Sequence, residues 1–122
     1  MSTFTTTGMR TVITPVHDLA AATSLYGALL GEPVMNEPYY VQFVGPDGQQ
    51  VGLDPNGHRK GLTGPVGYWH VDDMDAAVKA LVEAGASEKD APSDVGGGRL
   101  VATLTDADGN PIGLIQDPQG WS

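Results

Sequence analysis

Asp47-Gly48-Gln49-Gln50-Val51-Gly52-Leu53 returns as Asp108-Gly109-Asn110-Pro111-Ile112-Gly113-Leu114, 61 positions later in a chain of 122 residues. A repeat at half the chain length narrows the fold to two copies of one module that bury their apolar faces together. Both copies read as an Asp-Gly turn entering a strand. Upstream, Val16-His17-Asp18-Leu19 is echoed by Val71-Asp72-Asp73-Met74 at an offset of 55.

Each half gives the same order of elements. Arg10–His17 alternates as a strand, and Asp18 can cap a helix with Leu19, Ala22, Tyr26, Leu29 and Leu30 on one face. Gly31 and Pro33 end that helix, and strands follow near Pro33–Asn36, Tyr39–Val44 and Gln49–Asp54. In the second half, Val66–Val71 is the strand. Asp72 or Asp73 caps a helix bearing Met74, Ala77, Val78, Leu81 and Val82, stopped by Gly85. Strands near Glu88–Ala91, Arg99–Thr105 and Pro111–Gln116 complete it. The Gly- and Pro-rich stretch Pro55–Pro65 joins the halves, and Ser93–Gly98 reads as the most mobile loop. One domain over 1–122 is expected, with module one at about 9–55, a linker at 56–64 and module two at about 65–118.

A tandem βαβββ pair of this length resembles the vicinal oxygen chelate superfamily, the fold of glyoxalase I, bleomycin-resistance proteins and extradiol dioxygenases. Val16-His17-Asp18-Leu19 with Leu25-Tyr26-Gly27-Ala28-Leu29-Leu30-Gly31 is similar to the family's strand-to-helix segment. Tyr68-Trp69-His70-Val71-Asp72-Asp73 is similar to the start of its second module, and Asp108–Ile115 to its terminal hairpin. The resemblance covers about residues 9–118 and implies an α+β fold. Its tandem βαβββ modules form a curled, cup-shaped mixed sheet with helices on the convex face. Homodimers are usual in the family, and a curled module leaves edge strands that need cover.

The family's metalloenzymes carry one ligand on the first and the last strand of each module. By position these fall on Thr11, Gly52, Val66 and Gly113, none of which is a usual ligand. A divalent ion needs several N or O donors to offset its dehydration, and glycine and valine side chains have none. No metal and no other cofactor is therefore expected. His17, His58 and His70 are the only histidines, and they form no HExxH or similar spacing. No GxSxG elbow or phosphate loop is present, since Gly96-Gly97-Gly98 lacks a Lys-Ser or Lys-Thr partner.

Strand parity separates two faces. Val12, Thr14, Val16, Val51, Leu53, Trp69, Val71, Ile112 and Leu114 suit packing under the helices. The opposite parity assembles a mixed aromatic and polar set, from which Tyr40, Gln42, Gly52, Tyr68, His70, Arg99 and Gly113 are the expected ligand contacts. Gly52 and Gly113 either open volume for a ligand or are filled by a neighbouring side chain. Tyr68 offers a stacking face with a polar tip, and His70 a donor or acceptor near neutral pH. Either could equally be structural.

Composition removes other classes. Six basic and fifteen acidic side chains give a net charge of -9, with three basic and ten acidic residues in the half after residue 61. Nucleic acid and anionic lipid both require clustered Lys and Arg, so neither is an expected partner. Such a field favours a cationic ligand, or it simply keeps the protein soluble. With no cysteine, disulfides and thiolate chemistry are excluded. The N-terminus lacks an apolar signal segment and no stretch spans a bilayer, so a cytoplasmic location is expected. Two functions fit. One is a metal-independent protein that binds or sequesters an aromatic or cationic natural product, as in antibiotic resistance of the bleomycin type. The other is a lyase, isomerase or dioxygenase-type enzyme in which His70 is the base and Arg99 holds an anionic intermediate. Whether the chain is an enzyme is left open, with binding preferred.

Overall fold

The computed structural model of the chain describes residues 4–59, 61–95 and 97–118. Its elements run β1 (Thr6–Pro15), α1 (Leu19–Leu30), β2 (Met35–Glu37), β3 (Tyr40–Val44), β4 (Gln50–Asp54), β5 (Val66–Val71), α2 (Met74–Glu83), β6 (Ser87–Asp94), β7 (Leu100–Thr105) and β8 (Pro111–Gln116). The fold is α+β with a mixed sheet, and the βαβββ order occurs twice. The chain divides into two compact units, Arg10–Gly67 and Met1–Met9 with Tyr68–Ser122.

Arg10–Gly67 carries the strand order β2-β3-β4-β1. The β1–β4 pair is parallel, with Thr11 opposite Gln50 and Ile13 opposite Gly52, whereas β2–β3 and β3–β4 are antiparallel. Asp18 caps α1, its side chain accepting from Ala21 N at 3.0 Å. Leu19, Ala22, Tyr26 and Leu30 pack on buried Val41, Phe43 and Leu53. Leu29 does not join them, because its position on the helix turns it into solvent.

The second unit repeats the plan. β5 pairs with β8 in parallel, β8 with β7 and β7 with β6 antiparallel. Val71, Met74, Ala77, Ala102, Leu104 and Leu114 form its core under α2. Asp73 is the cap, accepting from Ala76 N at 3.1 Å. Asp72 is used otherwise. Its carboxylate accepts from Thr5 N at 2.7 Å and from Thr5 Oγ1 at 2.8 Å. These bonds to the ionised form hold its pKa below the ordinary aspartate value. Thr6 Oγ1 adds a 2.7 Å bond to the His70 carbonyl, so the opening residues of β1 are bound to the end of β5.

Several expected boundaries move. β1 starts at Thr6 rather than Arg10, where Thr5 and Thr6 bond Asp72 and the His70 carbonyl 67 and 64 positions away, a contact that local periodicity does not carry. β6 runs to Asp94, so Ser93 and Asp94 belong to a strand and not to the expected loop, and Gly96 lies outside the described residues. Trp69 has the parity of the helix-covered face but is 42% exposed. The two Asp-Gly turns are as read, with Gly48 at φ 83 and Gly109 at φ 86, a region that favours glycine. Asp106 stabilises the second turn by accepting from Asn110 N and Asp108 N at 2.9 Å each.

Candidate functional site

Within the second unit, four of the expected contacts stand on one face. The parallel register sets Tyr68 opposite Gly113 and His70 opposite Ile115. The antiparallel register sets Thr103 opposite Gly113 and Val101 opposite Ile115. Side chains of one parity share a sheet face, and Leu114, Ala102 and Val71 on the other parity belong to the α2 core. Tyr68, His70 and Thr103 are each only 6% exposed.

Asp117, one residue past the end of β8, organises this face. Its Oδ1 accepts from Arg99 Nε at 2.6 Å and its Oδ2 lies 3.4 Å from Arg99 Nη2. The same Oδ2 is 3.2 Å from His70 Nδ1. A carboxylate at that nitrogen favours the Nδ1–H tautomer, which directs the acceptor lone pair to Nε2 on the far side of the ring. The guanidinium of Arg99 therefore already faces a carboxylate rather than standing ready for an anionic intermediate alone. Beside the triad, Thr103 Oγ1 donates to Asp90 Oδ2 at 2.6 Å.

Gly113 is not open space. A Cβ added there would meet Tyr68 Cγ at 2.6 Å and Cε2 at 2.7 Å. Within the first unit Gly52 is filled in the same manner: an added Cβ would meet Tyr40 Cζ at 2.5 Å and Cε1 at 2.9 Å. Of the two readings of these glycines, the filled one is correct, and a tyrosine does the filling each time. Tyr40, Gln42 and Gly52 do come together, with Gln42 opposite Gly52 in register and Tyr40 Oη 3.4 Å from Gln42 Oε1. Thr11, fully buried, donates to Gln50 Oε1 at 2.9 Å.

The four positions at which the family's metalloenzymes carry ligands do not fit a metal. Val66 has no donor, Thr11 is bonded to Gln50, and the two glycines lie under aromatic rings. Among the described residues no group of three or more His, Asp or Glu side chains could hold an ion. His17 and His58 stack at 3.9 Å with an interplanar angle of 2°, which points their nitrogens along parallel planes instead of toward a common centre.

Asp117 and Asp90 were not visible to strand parity, which stopped at the last apolar residues. Counting back from the Asp-Gly turn through the hairpin does find Asp117, since Leu100 opposite Gln116 sets Arg99 opposite it. For Asp90 no such signal exists, because β6 has two register shifts.

Comparison with known proteins accords with this architecture. Residues 10–115 match the glyoxalase-like domain family. No curated protein matches the chain. Among solved structures, an NAD-dependent benzaldehyde dehydrogenase from Legionella pneumophila superposes with a TM-score of 0.73 at 18% identity, covering 88% of this chain and 98% of that one. The Mn(II)-bound glyoxalase from Novosphingobium aromaticivorans gives 0.67 at 22% identity, covering 93% of this chain and 40% of that one. A methylmalonyl-CoA epimerase from Mycobacterium tuberculosis gives 0.67 at 19%, covering 97% and 93%. Such identities speak for the fold alone. With the family match over most of its length and the duplicated βαβββ plan, the chain belongs to the glyoxalase-like domain family within the vicinal oxygen chelate superfamily.

Proposed function

We propose that this chain is a metal-independent small-molecule-binding protein that takes up an aromatic or cationic organic compound and sequesters or carries it. The observation that supports this most is the exchange of ligand for aromatic ring at Gly52 and Gly113, where Tyr40 and Tyr68 stand in the space that a metal-binding side chain would need. A buried tyrosine gives an apolar ring for stacking and a hydroxyl for orientation, which is what recognition of an organic ligand requires. In the second unit Tyr68, His70 and the Arg99–Asp117 pair are the contacts, and in the first unit Tyr40 and Gln42. The net charge of -9 favours a cation over an anion at any such surface. Pairing into homodimers and a cytoplasmic location belong to this reading.

One observation favours an enzyme instead. Asp117 orients His70 as a carboxylate orients a general base, and some proteins of this fold are epimerases and glyoxalases. That reading makes the chain a lyase, isomerase or dioxygenase-type catalyst without a metal.

A thermal-shift panel of aromatic amines, glycopeptide antibiotics including bleomycin, and acyl-CoA thioesters separates the two. The binding reading expects a hit among the amines or antibiotics that raises the melting temperature, is recovered unchanged, and is weakened by Tyr68→Ala. Stabilisation by thioesters alone, with turnover abolished in His70→Ala, would replace it with the enzyme.

A further inference from the structure

β6 does not keep one register with β7. Ser87 stands opposite Thr105 and Glu88 opposite Leu104. Carried on, that register would set residue 90 opposite Ala102, which with Leu104 belongs to the α2 core. Instead the register shifts between Glu88 and Asp90, so that Asp90 stands opposite Thr103, and a second shift follows before Ser93. A slip of one residue turns a side chain to the other face of its sheet, and bulges re-aim side chains in this way. Asp90 is thereby moved from the helix-covered face to the face of Tyr68 and His70.

There it closes a row. Asp90 is opposite Thr103, Thr103 opposite Gly113 and Gly113 opposite Tyr68, one position on each of β6, β7, β8 and β5. Gly113 sets no side chain between them, and the Tyr68 ring lies over it. Strands about 4.8 Å apart put the Asp90 backbone about 9.6 Å from that of Gly113. Asp90 is exposed, whereas Thr103 and Tyr68 are buried. Keeping a carboxylate out of the core needs no more than solvent. Thr103 nevertheless donates its hydroxyl proton to Asp90 Oδ2 at 2.6 Å, which fixes where the charge stands.

We infer that Asp90 is the specificity-determining residue of this face and receives the ammonium group of an organic ligand, with Thr103 as its positioning residue. The inference rests on the small-molecule-binding reading above and narrows its ligand from an aromatic or cationic compound to an amine protonated at neutral pH. The two carboxylates of the face have different duties. Asp117 commits both oxygens to Arg99 and His70. Among the described residues no Arg, Lys or His pairs with Asp90. A neutral aromatic compound would leave that charge unanswered, and an anion would be repelled by it. A metal ion needs more donors than one carboxylate, and among the described residues no group of three or more His, Asp or Glu side chains could supply them. An ammonium group brings one positive charge and N–H donors, which is what a lone carboxylate accepts.

NMR titration of the full chain with phenethylamine, phenethyl alcohol and phenylacetate tests this, since the three share a ring and differ in charge. Wild type should bind the amine about three- to tenfold more tightly than the alcohol, and phenylacetate more weakly than either. Asp90→Asn should remove the preference for the amine and leave affinity for the alcohol unchanged. Asp90→Glu should keep part of the preference, and Thr103→Val should lower it. Asp108→Asn removes one negative charge from the exposed Asp-Gly turn before β8, should keep the preference in full, and so separates Asp90 from the overall charge of -9. The carboxyl carbon signal of Asp90 in wild type is a reading independent of any variant, and should move with the amine and not with the alcohol. Equal affinity of wild type for amine and alcohol, or a preference that survives Asp90→Asn, would overturn the inference and leave the binding reading intact. So would an equal loss of both ligands in Asp90→Asn with an unmoved Asp90 signal in wild type, the mark of a residue that only braces a bulged strand. A wild type that binds none of the three would overturn it as well, and the binding reading would then be decided by its own panel of antibiotics.

Discussion

Tyr68 and Gly113 face each other in register across a parallel strand pair, and the aromatic ring occupies the space into which residue 113 would project a side chain. The contact falls at the root of the ring, on Cγ and Cδ2, which cannot swing aside without a new rotamer. At Gly52 the obstructing atoms are the hydroxyl end of Tyr40, which can give way more easily. Gly113→Ala should therefore cost about 1–3 kcal/mol and Gly52→Ala less. Adding Tyr68→Ala to Gly113→Ala should recover part of the loss, a coupling that urea denaturation of the double-mutant cycle measures. Additive losses would mean that the ring is not what fills the site.

Asp117→Asn should destabilise the protein by about 2 kcal/mol, since it strips a carboxylate from an arginine that is only partly in solvent and leaves His70 Nδ1 facing an amide. Imidazole nitrogen shifts in NMR should show a change in the tautomer of His70. An unmoved tautomer with an unmoved midpoint would remove Asp117 from the site.

Manganese, nickel, zinc and EDTA should each leave the melting temperature where it is, because a ligand that binds only the folded state raises it and one bound beforehand would be lost to the chelator. The donor set at Thr11, Gly52, Val66 and Gly113 is the ground for this expectation. Elemental analysis giving about one ion per chain, with a fall in melting temperature on chelation, would contradict it.

The Asp72–Thr5 contact has a pH signature. Its bonds depress the folded-state pKa, so the stability it contributes is fully present above the unfolded value and is lost as pH falls through the lower, folded one. Wild type should thus exceed Asp72→Asn in denaturation midpoint at neutral pH, and the two should converge in acid. Asp73→Ala should instead cost about 1 kcal/mol through loss of the helix cap.

What the sequence disclosed was the part governed by short-range rules. The Asp18 cap, the strands Val66–Val71 and Pro111–Gln116 and the Asp-Gly turns each depend on residues within a few positions, and each stands where periodicity and turn chemistry put it. Tyr68, His70, Arg99 and Gly113 were brought to one face by parity alone. Parity does not tell whether a glycine is empty or covered, because that depends on the rotamer of Tyr68 or Tyr40. Nor does it reach Asp117, which follows the last strand, or the partnership of Thr5 with Asp72, residues 67 apart.

That last partnership governs how the chain can be divided. The segment joining the repeats looks like the natural place to cut, yet a fragment ending at residue 64 would carry Thr5 and Thr6 away from Asp72 and the His70 carbonyl that bind them. Closing a loop of this length has an entropic cost that grows with the logarithm of its span, so the N-terminal clasp should form late in folding. A C-terminal fragment should then remain incomplete until a peptide bearing Thr5 and Thr6 is supplied in trans.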